Sequence, residues 1–288
     1  MNILLCGASG FVGRHFEAAL RDAGHQVRRG VRHPRSAEDI AIDYRVDNKI
    51  ADWLPRLKGI DAVVNAVGVL RDSKAQPMAQ LHDAVPRALF AAAAQSGIKR
   101  IVQISALGAG SGINTAYMQT KQAADEFLQT LDVDWAILRP SLIYGKDGAS
   151  TRMFMLLSHM PLLMLPDGGR QRVQPVHIDD IAQAVVNLLA ATGSPPLRQI
   201  IKCVGAEEVT LGGLISSYRM QRGGKAPFVL AVPKIMLRSV AWIGDRIPAL
   251  PVGSDTLEML AAGSTGNGDR FVKLLGHAPR VYRDFLNG

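Results

Sequence analysis

The sequence is poor in cysteine and has no long apolar run. Only Cys6 and Cys203 occur in 288 residues. Each lies in an apolar segment typical of a strand, which favours two reduced core thiols over a disulfide. No apolar stretch approaches the roughly 20 residues that cross a bilayer. The first strand begins at Met1 or Asn2 and leaves no room for a signal peptide. We therefore expect a cytoplasmic protein that does not itself span a membrane.

The sequence also lacks the signatures of nucleic-acid binding and of metal sites. It has no zinc-finger spacing, no aromatic RNA-binding motif and no basic helix of the DNA-reading type. Its net charge of +8 suits an anionic cofactor, an acidic lipid surface or a nucleic acid equally well. With 48% hydrophobic and 20% charged residues, the composition is that of a globular protein and excludes a disordered or fibrous one. We expect a small-molecule substrate, no nucleic acid and no metal.

Short apolar runs alternate with helical stretches in the first half of the chain. The predicted strands are Asn2–Cys6, Gln26–Val31, Ile40–Tyr44, Ala62–Ala66, Ile101–Ile104 and Ala136–Leu138. The predicted helices include Phe11–Ala23, Asp83–Ala94 and Ala116–Leu131. This alternation predicts an α/β fold with a doubly wound parallel sheet. A boundary near Gly205 divides the chain into a nucleotide-binding domain over 1–205, with 141–175 contributing to the substrate cleft, and a smaller substrate-side or membrane-facing region over 206–288.

Three glycines lie directly between the first strand and the first helix. Gly7, Gly10 and Gly13 form a Gly-x-x-Gly-x-x-Gly run. In that context a backbone can approach a pyrophosphate closely, and the helix aims its N–H groups at it. The same spacing also occurs in ordinary turns, but the flanking strand and helix favour a Rossmann-type dinucleotide site. The predicted contacts are Gly7, Ser9, Gly10, Phe11, Val12 and Gly13.

No acidic residue follows the second strand where NAD-binding proteins place one. The segment from Arg28 to Arg35 contains four arginines in all, and no Asp or Glu. A carboxylate there would bind the ribose of NAD, whereas Arg32 and Arg35 can pair with a 2′-phosphate. We therefore favour NADP(H) over NAD(H). The alternative is that these arginines only solvate a loop.

The glycine spacing resembles that of extended and atypical short-chain dehydrogenases. The resemblance implies that Asp43 and Tyr44 lie near the adenine, and that Ala66, Val67 and Gly68 lie beside the cofactor. Through the segment that begins at Arg139 it also places Pro140 near the nicotinamide. These contacts are implied by the resemblance, and each residue has a purely structural role as its alternative.

Tyr117 and Lys121 are four residues apart and share one face of a predicted helix. In the family that this sequence resembles, such a pair is catalytic. The lysine ammonium is expected to lower the pKa of the phenol from its usual ~10 toward neutrality and to hold the nicotinamide ribose. Ser105 is expected to orient the substrate carbonyl. A strand register shifted by one residue would place Ala106 there instead, without a hydroxyl.

The run Ile104–Ala109 most resembles the atypical NDUFA9-like branch, named after an accessory subunit of respiratory complex I. Other segments resemble bacterial proteins in which this domain precedes a membrane-embedded DoxX-like domain. In Pro233–Arg246 a helix with a charged face could rest on the inner face of a membrane or cover the substrate cleft. Met153–Leu165 reads as core, or as the lining of a lipophilic pocket.

Three functions remain open at this point. The first is an NADP(H)-dependent oxidoreductase that acts on an unidentified carbonyl or hydroxyl substrate. The second is a nucleotide-binding accessory protein beside a membrane redox or quinone-related complex. Ala106, the basic charge balance and the amphipathic tail favour this second function. The third is a nucleotide-sugar epimerase or dehydratase. The substrate and the oligomeric state are not predicted.

Overall fold

The computed structural model describes residues 1–190, 197–232, 241–242, 245 and 253–286. The strands are β1 (Asn2–Cys6), β2 (Gln26–Val31), β3 (Asp39–Ala41), β4 (Ala62–Asn65), β5 (Arg100–Ile104), β6 (Asp134–Pro140), β7 (Ile143–Tyr144), β8 (Leu162–Pro166), β9 (Arg172–Val173), β10 (Val176–His177), β11 (Arg198–Cys203), β12 (Val209–Thr210) and β13 (Phe228–Val232). The helices are α1 (Phe11–Asp22), α2 (Ile50–Trp53), α3 (Val85–Gln95), α4 (Ala116–Gln129), α5 (Ala149–Ser158), α6 (Ile178–Ala190), α7 (Leu211–Gln221), α8 (Ser254–Ala262) and α9 (Asp269–Leu275).

Seven strands form one sheet in the order β11-β6-β5-β4-β1-β2-β3. The pairs from β3 through β6 are parallel. Strand order reverses between β1 and β4, and in open α/β sheets ligands bind at the carboxyl ends of the strands beside such a reversal. The predicted α/β fold with a Rossmann-type sheet is confirmed.

The central strands are apolar because both of their faces are covered. All four residues of β4 and all five of β5 are buried, as expected for parallel strands with helices on both sides. Helix α1 packs through Phe16 and Leu20, both fully buried, and it is followed by Gly24 with a φ of +80°. A glycine accommodates that left-handed conformation at the end of a helix. Cys6 and Cys203 are both buried thiols.

The chain forms two compact units. The first unit comprises Met1–Arg139 and Ile181–Ile201, and the second comprises Pro140–Asp180 and Lys202–Gly288. The second unit has three two-stranded pairings, β10 with β7, β12 with β9 and β13 with β8. The functional division predicted near Gly205, with 1–205 binding the nucleotide and 206–288 facing the substrate, stays a prediction.

One predicted strand is shorter in the structure. The third strand ends at Ala41 and does not extend to Tyr44, because the Asp47 carboxylate accepts the backbone N–H of Asp43 at 2.5 Å and turns the chain. Met153–Leu165 divides into the end of α5 and most of β8.

The helix predicted over Pro233–Arg246 falls mostly on 233–240, 243–244 and 246, which lie outside the described residues. In the described part of the chain, no helix is long and apolar enough to cross a membrane.

Candidate functional site

The glycine turn is held in a shape that larger residues would disrupt. Gly7 has a φ of +82°, and a Cβ atom there would lie 2.9 Å from the carbonyl carbon and oxygen of Ala66. A Cβ atom on Gly13 would lie 2.1 Å from the Gly7 oxygen. At Gly10 an added Cβ would meet only the Gly7 oxygen, at 3.2 Å. Gly7 and Gly13 therefore let the backbone close on itself, while Gly10 leaves open space above the turn.

That open space lies at the N-terminus of α1. Gly10 is the N-cap residue, so no side chain accepts the N–H groups of the first helical turn, and that turn contains no acidic residue. The exposed Ser9 directs its carbonyl to the Arg14 guanidinium at 2.8 Å. Phe11 and Val12 are the first residues of the helix and are half-buried. Uncapped N–H groups beside a glycine cradle fit the pyrophosphate of a dinucleotide.

The four arginines after Gln26 divide into two pairs. Arg28 donates to the carbonyl oxygens of Ala37 and Glu38, and Arg29 pairs with the Asp39 carboxylate at 2.7 Å. Arg32 and Arg35 are exposed. Among the described residues the Arg35 side chain has no hydrogen bond or ion pair, and the electrostatic partner of Arg32 is Asp43.

Asp39 gives the loop that carries these two arginines its shape. Its carboxylate accepts the N–H groups of Arg35 and Ser36 at 2.7 and 3.1 Å. These bonds lower the pKa of Asp39 to about 2, and the bond from the Arg35 N–H contributes most to the shift. Cys6 pairs with Gly30, so Arg32 leaves β2 at the same edge of the sheet where the glycine turn begins.

The structure separates the two side chains predicted to lie near adenine. The Asp43 carboxylate is partly exposed and bonds Arg45, and that partner keeps the pKa of Asp43 below its usual value. The Tyr44 side chain is buried in the core, where its hydroxyl donates to Asn65 Oδ1 at 2.9 Å. The structure therefore leaves Asp43, and not the Tyr44 ring, at the surface.

Lys121 joins the ends of two central strands. Its ammonium donates to the carbonyl oxygen of Ile104, the last residue of β5, at 2.9 Å, and to that of Val67 just beyond β4, at 3.0 Å. A Cβ atom on the exposed Gly68 would lie 3.5 Å from Lys121 Nζ. Ala66 is tied to β1 by its N–H bond to the Cys6 oxygen at 3.0 Å. Burial of Lys121 lowers its pKa to about 8.

Tyr117 lies one helical turn before Lys121 but does not bond it. Its hydroxyl makes no hydrogen bond among the described residues. Burial, followed by the charge of Asp125, raises the pKa of the phenol to about 12. The expected lowering toward neutrality is not found, because the ammonium is directed at the two backbone carbonyls and a carboxylate lies nearby. The phenol is therefore neutral at physiological pH.

His82 is a site residue that the sequence did not reveal. It lies in a π-helical turn, Gln80–Ala84, a distortion that is frequent at functional sites. Its Nε2 accepts the N–H of Val69 at 2.9 Å, so Nδ1 carries the proton and donates to Thr120 Oγ1 at 3.2 Å. The imidazole meets the Tyr117 ring edge-on, with centroids 5.3 Å apart.

The environment of His82 keeps it uncharged. Burial and the Lys121 charge lower its pKa to about 2. Because His82 stays neutral, its Nε2 remains available to accept the hydrogen bond from the Val69 N–H. His82 thus holds the 66–69 segment and one side of the phenol, and it carries no charge near the site.

A second missed group surrounds Ser105. Asp125 is fully buried, and its Oδ2 accepts bonds from Ser105 Oγ at 2.7 Å and from the Arg139 guanidinium at 2.9 and 3.1 Å. Burial raises the pKa of Asp125, while Ser105 and Arg139 oppose that shift. The sequence does indicate one part of this group, because Asp125 follows Lys121 by four residues and therefore lies on the same face of the helix. The structure brings Ser105 to this carboxylate, and Ala106 is buried beside it.

Pro140, predicted to lie near the nicotinamide, is the last residue of β6. It is buried and belongs to the second compact unit. The first unit therefore contains the glycine turn, Arg32, Arg35, Asp43, Ala66–Gly68, Ser105 and the Tyr117–Lys121 pair.

A family model described as NAD(P)H-binding matches residues 7–192, from the first glycine of the turn to the end of α6 and just beyond. The chain belongs to this NAD(P)H-binding family. Binding of an NAD(P) cofactor follows from membership, and the glycine turn fits that group. The predicted resemblance to atypical short-chain dehydrogenases of the NDUFA9-like branch is confirmed.

The relatives of this NAD(P)H-binding chain include an NADH dehydrogenase subunit, a reductase and an epimerase family protein. Subunit 9 of the NADH dehydrogenase [ubiquinone] 1 alpha subcomplex, from Arabidopsis thaliana mitochondria, is 27% identical over 65% of this chain and 50% of its own length. A ceramide reductase of Caulobacter vibrioides is 28% identical over 64% and 59%. An epimerase family protein of Mycobacterium bovis is 25% identical over 82% and 83%. The chain thus spans half to three fifths of the first two relatives.

Solved structures share the fold across the whole chain. A nucleoside-diphosphate-sugar epimerase from Staphylococcus aureus has a TM-score of 0.77 at 21% identity and covers 100% of both chains. MoeE5 in complex with UDP-glucuronic acid and NAD has a TM-score of 0.72 at 17% identity, covering 100% of this chain and 97% of its own. At these identities the likeness concerns the fold alone.

Proposed function

We propose that this protein is an NADP(H)-dependent oxidoreductase that reduces the carbonyl group of a lipophilic substrate. The observation that carries the proposal is the neutral, unbonded phenol of Tyr117, one turn before a lysine that holds the ends of β4 and β5. Both lie in the compact unit that carries the glycine turn. A proton donor at this place is what a carbonyl reductase needs.

The cofactor assignment rests on the turn and on the two exposed arginines, Arg32 and Arg35. The N–H groups of α1 would hold the pyrophosphate, and Arg32 and Arg35 would hold a 2′-phosphate. Asp43, Ala66, Val67, Gly68 and Pro140 remain the proposed neighbours of the rest of the molecule. Arg28 and Arg29 are engaged in the loop itself and are not assigned to the cofactor.

When bound, NADPH supplies a hydride to the carbonyl carbon. The Tyr117 hydroxyl gives its proton to the carbonyl oxygen, so that the carbonyl becomes an alcohol and the nicotinamide is oxidised. Because the pKa of Tyr117 is raised to about 12, the phenol carries its proton at neutral pH and would act as a proton donor and not as a base. Lys121 would hold the ends of β4 and β5 beside the reacting group through its bonds to the Val67 and Ile104 oxygens, and His82 would keep the phenol ring oriented.

The lipophilic class of substrate is supported by two observations. The Caulobacter relative is named a ceramide reductase, which makes lipid carbonyls the first compounds to test. Met153 and Met155 pack at the edge of the second unit's apolar core, where flexible thioethers suit irregular apolar groups.

The test is hydride transfer from NADPH to long-chain aldehydes, ketones and 3-oxoacyl esters by wild type and by Tyr117→Phe. Loss of one general acid is expected to slow the reaction about 10²–10⁴-fold while NADPH binding is kept. Tyr282→Phe, in the second unit, is the matched control and should retain wild-type rates. Equal turnover by Tyr117→Phe would refute the assignment, and stabilisation by UDP- or dTDP-sugars in place of lipid carbonyls would favour an epimerase.

A second candidate is a nucleotide-binding accessory protein without turnover. The specific observation in its favour is that the hydroxyl of Ser105 is committed to Asp125 and that Ala106 offers none. The relation to a mitochondrial NADH dehydrogenase subunit is consistent with this candidate. It predicts tight NADPH binding, no hydride transfer to any carbonyl in the panel, and equal behaviour of wild type and Tyr117→Phe.

A further inference from the structure

Strands β8 and β13 form a small parallel ribbon in the second unit. Leu162 pairs with Phe228 and Met164 with Leu230, so these four side chains alternate onto one face. Within the described residues neither strand pairs with a third one. We call this four-residue surface the ribbon face.

The ribbon face is apolar and open to solvent. Its side chains are 42% (Leu162), 64% (Met164), 82% (Phe228) and 53% (Leu230) exposed. On the opposite face Leu163 and Leu165 of β8 are buried, whereas Val229 of β13 is 37% exposed. Parallel strands are almost always covered on both faces. Among the described residues the ribbon face stays uncovered, which is unusual for an apolar parallel ribbon, and clustered exposed apolar side chains mark an interaction site.

Other elements of the same unit also expose apolar side chains. Leu156 in α5 is 70% exposed and Met160, just before β8, is 50% exposed. Met220 in α7, a helix that packs on α5, is 52% exposed.

Basic side chains lie near the points where both strands begin. His159 lies three residues before β8, and Arg222 and Lys225 lie just before β13. Arg219 fixes this arrangement, because its guanidinium donates to the carbonyl oxygens of Ser158, His159 and Lys225 at 3.1, 2.8 and 2.7 Å.

The two stretches that build this surface are strongly basic. Residues 152–170 and 219–232 contain five Arg and Lys residues and one acidic residue, Asp167. Arg170, near the far end of β8, has a side chain 75% exposed. An apolar face bordered by cations complements an apolar layer bordered by anions.

We propose that the ribbon face and its basic border bind the surface of an anionic phospholipid bilayer. The four apolar side chains enter the interface between headgroups and acyl chains, and Arg222, Lys225 and Arg170 contact the phosphates. This surface lies in the second unit and is independent of the proposed chemistry at Tyr117.

Flotation of the full chain with vesicles tests the proposal. Vesicles of phosphatidylcholine mixed with phosphatidylglycerol should bind the protein roughly tenfold more tightly than phosphatidylcholine alone, and added salt should weaken that binding. Two double variants, Phe228→Ser with Leu230→Ser and Arg222→Gln with Lys225→Gln, should each weaken it by a similar factor.

The control replaces Val46 and Leu54, which are 64% and 38% exposed in the first unit, by serine. This control should float like wild type. Retained thermal stabilisation by NADPH shows that each variant is folded. No flotation of wild type with either vesicle, or equal flotation of the Phe228/Leu230 variant, would overturn the proposal. So would a wild-type dimer that this variant converts to a monomer in light scattering, because the face would then join two copies.

Discussion

The hydroxyl of Ser105 donates to the Asp125 carboxylate at 2.7 Å, inside the core. This bond ties the segment after β5 to α4, the helix that carries Tyr117 and Lys121. Arg139, near the end of β6, bonds the same carboxylate oxygen, while the buried Asp125 Oδ1 has no hydrogen-bond partner among the described residues. One buried carboxylate thus connects three elements under the proposed site, and the geometry makes Ser105 a support of that connection.

The first prediction concerns this carboxylate. Asp125→Ala leaves the Arg139 guanidinium largely buried without its counter-charge, and removal of one partner of a buried pair typically costs about 3–5 kcal/mol. We expect the free energy of unfolding in urea to fall by about that amount. Glu126→Ala, at the next and exposed position of α4, should change it by less than about 0.5 kcal/mol. Similar small losses in both variants would show that the network contributes little.

The second prediction separates the roles of two glycines in the turn. Gly13→Ala places a Cβ atom against the Gly7 carbonyl and should lower the melting temperature strongly. Gly10→Ala meets one atom at 3.2 Å and fills the space above α1, so it should keep most of the apo stability and lose the stabilisation by NADPH. Thermal melts with and without NADPH measure both effects. A Gly10→Ala protein stabilised as strongly as wild type would place the pyrophosphate elsewhere.

The third prediction concerns cofactor choice. Charge-assisted hydrogen bonds contribute about 1.5–3 kcal/mol each, so the double variant Arg32→Gln with Arg35→Gln should bind NADPH at least tenfold more weakly. Its affinity for NADH should change little. Arg198→Gln, which removes an exposed arginine of the same unit, controls for net charge. Calorimetric titrations give the affinities of wild type and both variants for each cofactor, and a parallel loss for both cofactors in the double variant would contradict the 2′-phosphate assignment.

How much of this the sequence could predict depends on the range of the contacts. The strand β1, the glycine turn and the start of α1 are local features and were predicted at the residues where they occur. The contacts of His82 with Val69 and Tyr117, and of Asp125 with Ser105 and Arg139, join residues 13 to 35 positions apart in the chain. Apolar periodicity does not encode such contacts.

The pairing of β8 with β13 could not be predicted from the sequence for the same reason. Its strands are 66 residues apart, as Leu162 and Phe228 show. The pKa of Tyr117 also required the structure, because spacing indicates that Lys121 is near but not that its ammonium is bonded to two backbone carbonyls. Tertiary contacts, and not local pattern, set the direction of that shift.

The fourth prediction concerns pH. Burial lowers the pKa of Lys121 from 10.5 to about 8, so the lysine is charged below pH 8 and loses its proton above it. Because Tyr117 stays protonated up to about pH 12, the rate of carbonyl reduction should be level below pH 8 and fall above it. In Lys121→Arg the guanidinium stays charged, so that fall should disappear whatever the absolute rate. A fall with the same midpoint in Lys121→Arg would assign it to another group.

The most direct test of the account follows the hydride itself. NADPH carrying deuterium at the transferred position is incubated with wild type or Tyr117→Phe and the panel of lipid carbonyls, and the products are analysed by mass spectrometry. The account predicts an alcohol with one deuterium on the former carbonyl carbon, formed by wild type and only in trace by Tyr117→Phe. NADPH that binds tightly while no carbonyl acquires the label, or equal labelling by the two proteins, would contradict it.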